Sequence, residues 1–256
     1  MESAIISPIK YLTQLDKEFS TGFHICYVSL VHQYKAYRDF YRTKSRRGEF
    51  VLLDYSHVTP RDVPGLGGLR TFKPAIEYIR PSAVILPDSD LHLKKTVKSA
   101  KDTIEYFKRV LGSISVIGMV QGINEEQYKE CLDTYIRISL RYPLIGIALP
   151  SSMEKITSRL DFITKVYQPC EVGLPLYISE LFDSLREVKY LNNNEDVQTN
   201  LIKAGWSSLP TRLSYNNRPI PDAGIIRPTP EPLSYLEDYV PDLLVENTEK
   251  YLGVYY

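Results

Sequence analysis

The sequence predicts a single α/β domain, a (β/α)8 TIM-type barrel with regular, irregular or incomplete closure left open, and three observations carry that expectation. Short β-branched runs at Phe23–Val31, Phe50–Asp54, Ala83–Asp88, Ser115–Gln121 and Leu144–Leu149 start about thirty residues apart, the length of one strand, helix and return. The segments between them carry helical stripes, with Val97, Ala100, Ile104, Phe107 and Leu111 in one and Tyr128, Leu132, Tyr135 and Ile138 in the next. No glycine-rich dinucleotide or phosphate loop follows an early strand, which favours a closed barrel over an open doubly wound sheet. A chain of 256 residues suits one such domain.

Along the chain, Asn124 followed by Gln127 has the spacing of a capping box and starts a helix just after Gln121-Gly122. Two consecutive helical patterns follow the fifth run, Met153–Tyr167 and Pro175–Glu187, the second with proline near its first turn, where a missing N–H is harmless. A short strand is expected at Val188–Leu191, a helix through Glu195–Lys203 ended by Gly205, and a strand at Trp206–Leu209. The eighth strand is either Ala4–Ser7 or a segment near Ile225. Residues 219–256 read as a proline-rich wrap and closing helix, interrupted at Pro241. Gly65-Leu66-Gly67-Gly68 reads as a turn.

Composition narrows the class. Lys plus Arg and Asp plus Glu each number 31, so bulk electrostatic coating of nucleic acid is excluded and any such contact must be local. Cys26, Cys131 and Cys170 are odd in number and widely spaced, which fits neither a disulfide framework nor a Cys-x-x-Cys metal site. No apolar run has the length of a membrane span and the first ten residues lack signal-peptide order, so the expectation is a soluble cytoplasmic protein with no membrane partner. His24, His32, His57 and His92 show no metal spacing, and no metal or cofactor is expected. A Gly-x-Ser-x-Gly elbow is missing, which removes the serine hydrolases.

In a β/α barrel the carboxyl ends of the strands carry the chemistry. Here those ends read Asp54, Asp88 and Gln121, with Gly146 inside the fifth run and Asn192 after the sixth. Either acid alone would be read as a cap; together with the amide they read as a pocket for a neutral heterocycle. Basic residues cluster at Lys35, Arg38, Arg42, Lys44, Arg46 and Arg47, interleaved with Tyr34, Tyr37, Phe40 and Tyr41. That pattern fits either phosphate contacts with base stacking or a solvated amphipathic helix. His92, Lys94, Lys95 and Lys98 follow the Asp88 strand end, at a helix start on the ligand side.

The same strand ends carry a family resemblance. Val84-Ile85-Leu86-Pro87-Asp88, Ile117-Gly118-Met119-Val120-Gln121-Gly122 and Ile145-Gly146-Ile147-Ala148-Leu149 resemble three successive motifs of the tRNA-guanine transglycosylase superfamily. Phe50-Val51-Leu52-Leu53-Asp54 resembles its earlier strand ending in a catalytic aspartate, and Ser208-Leu209-Pro210-Thr211-Arg212 a later segment. The length and the missing zinc ligands are closer to the phage and bacterial DNA-guanine transglycosylases, which insert 7-deazaguanines into DNA, than to the zinc-bearing tRNA enzymes.

The resemblance implies exchange of guanine in DNA or tRNA for a free purine or 7-deazapurine base, through a covalent nucleic acid–enzyme intermediate. It makes Asp54 the general base and gives Asp88, Gln121, Gly122, Gly146, Ile147, Asn192 and Trp206 to the base pocket. Lys94, Lys95 and Arg212 would meet phosphate. The family's nucleophilic aspartate falls where this chain has Trp206. Asp183 or Asp196 could replace it, Asp54 could take both roles, or the chain could bind without catalysing. A small-molecule β/α-barrel enzyme is the remaining alternative; neither a pocket lysine nor a late phosphate loop is evident for it.

Overall fold

The computed structural model describes residues 2–5, 9–19, 22–55, 71–112, 114–168, 173–179, 202–207 and 242–252. Eight strands lie in one parallel sheet: β1 (Glu2–Ile5), β2 (Phe23–Tyr27), β3 (Phe50–Asp54), β4 (Ala83–Ile85), β5 (Val116–Met119), β6 (Leu144–Leu149), β7 (Leu176–Ile178) and β8 (Ile202–Ser207). Their order is β1-β8-β7-β6-β5-β4-β3-β2, so each of β2 to β8 neighbours the next in sequence. β1 pairs with β8 and also lies against β2, which nearly closes the ring into a TIM-like barrel. Among the described residues no hydrogen-bonded ladder joins β1 to β2; the seam closes by contact.

The helices are α1 (Leu12–Phe19), α2 (Val28–Gln33), α3 (Lys35–Arg46), α4 (Phe72–Ile79), α5 (Leu93–Val110), α6 (Glu125–Ser139), α7 (Arg159–Phe162) and α8 (Asp242–Leu252). A π turn, Ile163–Tyr167, continues α7. The apolar stripes read from sequence are buried where they meet the sheet, at Ala100, Ile104 and Phe107 on α5 and at Tyr128, Leu132 and Tyr135 on α6. Asn124 caps α6 by accepting from the Gln127 amide at 2.9 Å, while the Gln127 side chain reaches the Ile123 amide instead of closing the reciprocal half of the box.

Side chains alternate between the barrel interior and the helix layer. Phe23 on β2 stacks on Phe50 of β3 at 5.6 Å and on Tyr177 of β7 at 6.4 Å between ring centroids. Only interior side chains can meet across the ring, so Phe23, Ile25 and Tyr27 point inward, as do Phe50, Leu52 and Asp54 in register beside them. Gly118 carries the opposite parity. A Cβ there would lie 2.6 Å from the Tyr135 ring of α6, so glycine is what lets that helix seat on β5.

Several boundaries differ from the sequence reading, for local physical reasons. The run Phe23–Val31 leaves the sheet at Tyr27, and Val28–Val31 continue as a buried helix; a continuous apolar run looks alike in either state. Pro175 does not start a helix: Leu176–Ile178 form β7, and the Pro175 carbonyl accepts from the Ile147 amide of β6 at 3.0 Å. The helix expected to reach Lys203 is replaced from Ile202 onward by β8, which is already strand before Trp206; Ser208 and Leu209 lie outside the described residues. The eighth strand is the amino-terminal one, which starts at Glu2 rather than Ala4; Ile6 and Ser7 lie outside the described residues. The expected strand at Val188–Leu191, the wrap from Pro219 and the turn at Gly65–Gly68 fall outside the described residues.

Candidate functional site

Parallel strands covered by helices are apolar on both faces, so a polar side chain at a strand's carboxyl end needs a partner. Asp54 is the last residue of β3, fully buried, and in register with Tyr27 at the end of β2. Its charge helps raise the Cys26 thiol well above the usual range, although burial of the sulfur is the larger cause. The structure therefore holds a carboxylate and a phenol side by side at the carboxyl end of the interior. Tyr27 was hidden in the sequence because the apolar run carries on past it.

Asp88 and Gln121 meet directly. The Gln121 amide nitrogen donates to Asp88 Oδ2 at 2.6 Å, and its oxygen accepts from the Leu91 amide at 3.0 Å. Leu91 has φ 56°, in the left-handed region that a leucine rarely adopts, so the amide holds a strained turn between β4 and α5. Asp88 does not cap α5: His92 is its N-cap residue, and Thr96 Oγ1 ties the turn by accepting from the Ser89 amide at 2.9 Å. Gln121 is buried, whereas Asp88 stays half-exposed. The pair thus fastens the β4 and β5 ends together with the acid facing partly outward. Gln121 keeps a second amide proton for a further acceptor.

The glycines do different work. A Cβ on Gly122 would lie 2.8 Å from the Tyr128 backbone nitrogen, so this residue gives room to the first turn of α6. Gly146 faces the interior, where a Cβ would lie 2.4 Å from the Tyr177 ring; the ring that uses this space is a tyrosine of the chain itself. Ile147 has the opposite parity, and its side chain packs toward the helices. Trp206 lies on β8 opposite Ala4, fully buried, with its indole N–H lacking a hydrogen-bond partner among the described residues. Lys94 and Lys95 are exposed in the first turn of α5. Asn192, Arg212, His57, Asp183 and Asp196 lie outside the described residues.

Arg159 was not anticipated from the sequence. Its guanidinium is buried and donates to the Ser179 carbonyl just past β7 at 2.8 Å, while Glu154 accepts from the Arg159 amide at 2.7 Å. No sequence signal separates such an arginine from a surface one.

Much of the aromatic-basic cluster around α3 is engaged within the fold, while Arg46 and Arg47 are exposed. Arg38 and Arg42 stack on Tyr78 of α4 at 4.4 and 4.6 Å, Lys35 pairs with Asp39, and Tyr37 and Tyr41 are buried. Lys44 is buried too, 2.5 Å from Asp16 Oδ1 and 3.0 Å from Glu49, whose carboxylate also meets His24 at 2.6 Å. Asp16, His24 and Glu49 have metal-ligand spacing, but the Lys44 ammonium already supplies the cation between the two carboxylates. This quartet lies at the amino-terminal end of β2 and β3, away from Asp54. No helix among the described residues is long and apolar enough to cross a membrane.

The fold defines the class as a TIM-like barrel, with a buried carboxylate at the carboxyl end of its interior. Compared with protein-family models and with curated proteins, the chain matches none of either.

Proposed function

We propose that this barrel is a base-exchange transglycosylase, replacing guanine in DNA or tRNA with a 7-deazaguanine. The observation that carries the reading is Asp54, a fully buried carboxylate facing the interior at the carboxyl end of β3. A desolvated carboxylate of this kind suits proton abstraction from an incoming base. The Asp88–Gln121 pair supports it, since an acid and an amide side by side match the donor and acceptor edge of a guanine. The order of the four strand-end motifs is the remaining support.

In this scheme a carboxylate oxygen bonds to the sugar C1′ as the C1′–N9 bond breaks, and guanine departs with the bonding pair and a proton given by Asp54 in its acid form. Asp54 then takes the proton from the incoming base, whose nitrogen displaces the carboxylate from C1′. Lys94, Lys95 and Arg212 would neutralise phosphates, and Asn192 would complete the pocket. Incubation with DNA or tRNA and radiolabelled guanine tests the scheme. Incorporation that Asp54→Asn abolishes, in a protein that still folds, supports it; normal exchange by Asp54→Asn reduces Asp54 to a structural residue.

A second reading has its own observation. Trp206 stands where the resembled family has its nucleophile, and a tryptophan cannot attack an anomeric carbon. A barrel that binds a base in nucleic acid without exchanging it would tolerate that substitution. Tight nucleic-acid binding with no incorporation at any pH selects this alternative.

A further inference from the structure

We infer that the groove between α5 and α6 is a docking site for an acidic amphipathic helix of a partner protein. The groove has a volume of about 970 Å³ and runs along the outer wall from the start of α5 past the end of α6. Lys94 alone is shared with the phosphate contacts proposed above; the rest of the groove lies away from the strand ends.

Its floor is aliphatic, built from Leu93, Val97, Ile104 and Ile138, with Leu140 at the rim. Leu140, in the turn after α6, is 79% exposed, the most exposed large apolar residue among those described. Its side chain offers a partner an apolar contact that water now covers. The walls are basic. Lys94, Lys98, Lys101, Lys108, Arg137 and Arg141 line the groove, against Asp102, Glu105 and Glu130. Lys108 is engaged, paired with Glu105 at 3.0 Å and lying over the Tyr142 ring at 5.7 Å. Lys98, Lys101 and Arg141 make no ion pair among the described residues. The chain as a whole is neutral, so the excess is a local feature.

An aliphatic floor between basic walls complements a helix with one apolar stripe and acidic flanks, laid in as a third helix of the outer layer. The length also fits: α5 has 18 residues and spans about 27 Å at the helical rise. Single-stranded nucleic acid is disfavoured, because it needs aromatic faces for its bases and the groove's one aromatic, Tyr142, is buried. A second copy presenting the same face would set lysines against lysines.

The test is fluorescence anisotropy with two synthetic peptides of about 18 residues. Both carry leucine at helical i, i+3, i+4, i+7 spacing; one has glutamate flanks and the other lysine flanks. The glutamate peptide is expected to bind and the lysine peptide to bind at least roughly tenfold more weakly. Leu140→Glu and the pair Lys98→Glu with Lys101→Glu should each weaken the glutamate peptide by roughly tenfold or more without changing circular dichroism or the melting temperature. All three positions are surface ones, so folding is not at stake. Absence of glutamate-peptide binding overturns the inference, as does binding indifferent to these substitutions. It is equally overturned if a single-stranded oligodeoxynucleotide occupies the same groove and displaces the peptide.

Discussion

Lys44→Met removes one ammonium from the Asp16–Lys44–Glu49–His24 quartet while keeping most of the apolar stem. The lysine side chain is 4% exposed, and its two carboxylate partners are 16% and 20% exposed. Removing one partner of a buried pair costs about 3–5 kcal/mol, and the residual hydration of the carboxylates puts this site near the lower end, about 3 kcal/mol. At an unfolding entropy of about 2.1 cal/mol/K per residue, a chain of this size should melt roughly 6 °C lower. Urea titration followed by circular dichroism at neutral pH measures the loss. In the Lys44→Met background, Glu49→Gln should cost less than it does alone, because it removes a carboxylate that has no cation left. The Lys44 charge also depresses the His24 pKa, so the same substitution should raise it, visible in the imidazole resonances. A loss below about 1 kcal/mol, the range of a surface pair, would refute the reasoning.

Burial holds the His24 pKa below its ordinary value of 6.5, despite the hydrogen bond it donates to Glu49, which opposes the shift. Folding therefore favours the neutral ring. That contribution is complete above 6.5 and is lost as pH falls from 6.5 through the folded value, so the urea midpoint should drop over this window and His24→Gln should flatten the drop. Gly146→Ala places a methyl 2.4 Å from the Tyr177 ring and 2.9 Å from the Pro175 carbonyl; it should destabilise by about 1–3 kcal/mol in chemical denaturation, with partial rescue by Tyr177→Leu. Gln121→Ala leaves Asp88 and the Leu91 amide without the partner that joins them, so hydrogen exchange at Leu91 should accelerate and stability should fall by about 1–3 kcal/mol. Unchanged exchange at Leu91 would mean that the turn holds its left-handed residue unaided.

The strand repeat, the stripes of α5 and α6 and the Asn124 cap could be read from sequence because each is set by residues close together in the chain. The strand ends could be read for a related reason. A strand buried on both faces is a continuous apolar run, and Asp54 and Gln121 stand out as the polar residues that stop it. β7 could not be read: three residues are too few to show a period, and Pro175 suits a helix start as well as a strand lead. Tyr27 was hidden because the apolar run continues from strand into buried helix.

The sequence alone thus determined the strand–helix repeat from β2 to β6, through local periodicity, and Asp54 as the end of β3. Tertiary structure decided what those residues touch. It turned Asp88 and Gln121 into one hydrogen-bonded pair across two strands, filled the space at Gly146 with Tyr177, and drew Lys44 out of an apparent surface patch into a buried ion network. Each of these contacts joins residues distant in the chain, and burial of a charge or an amide depends on which neighbours the closed ring brings to it, a property that no local pattern encodes.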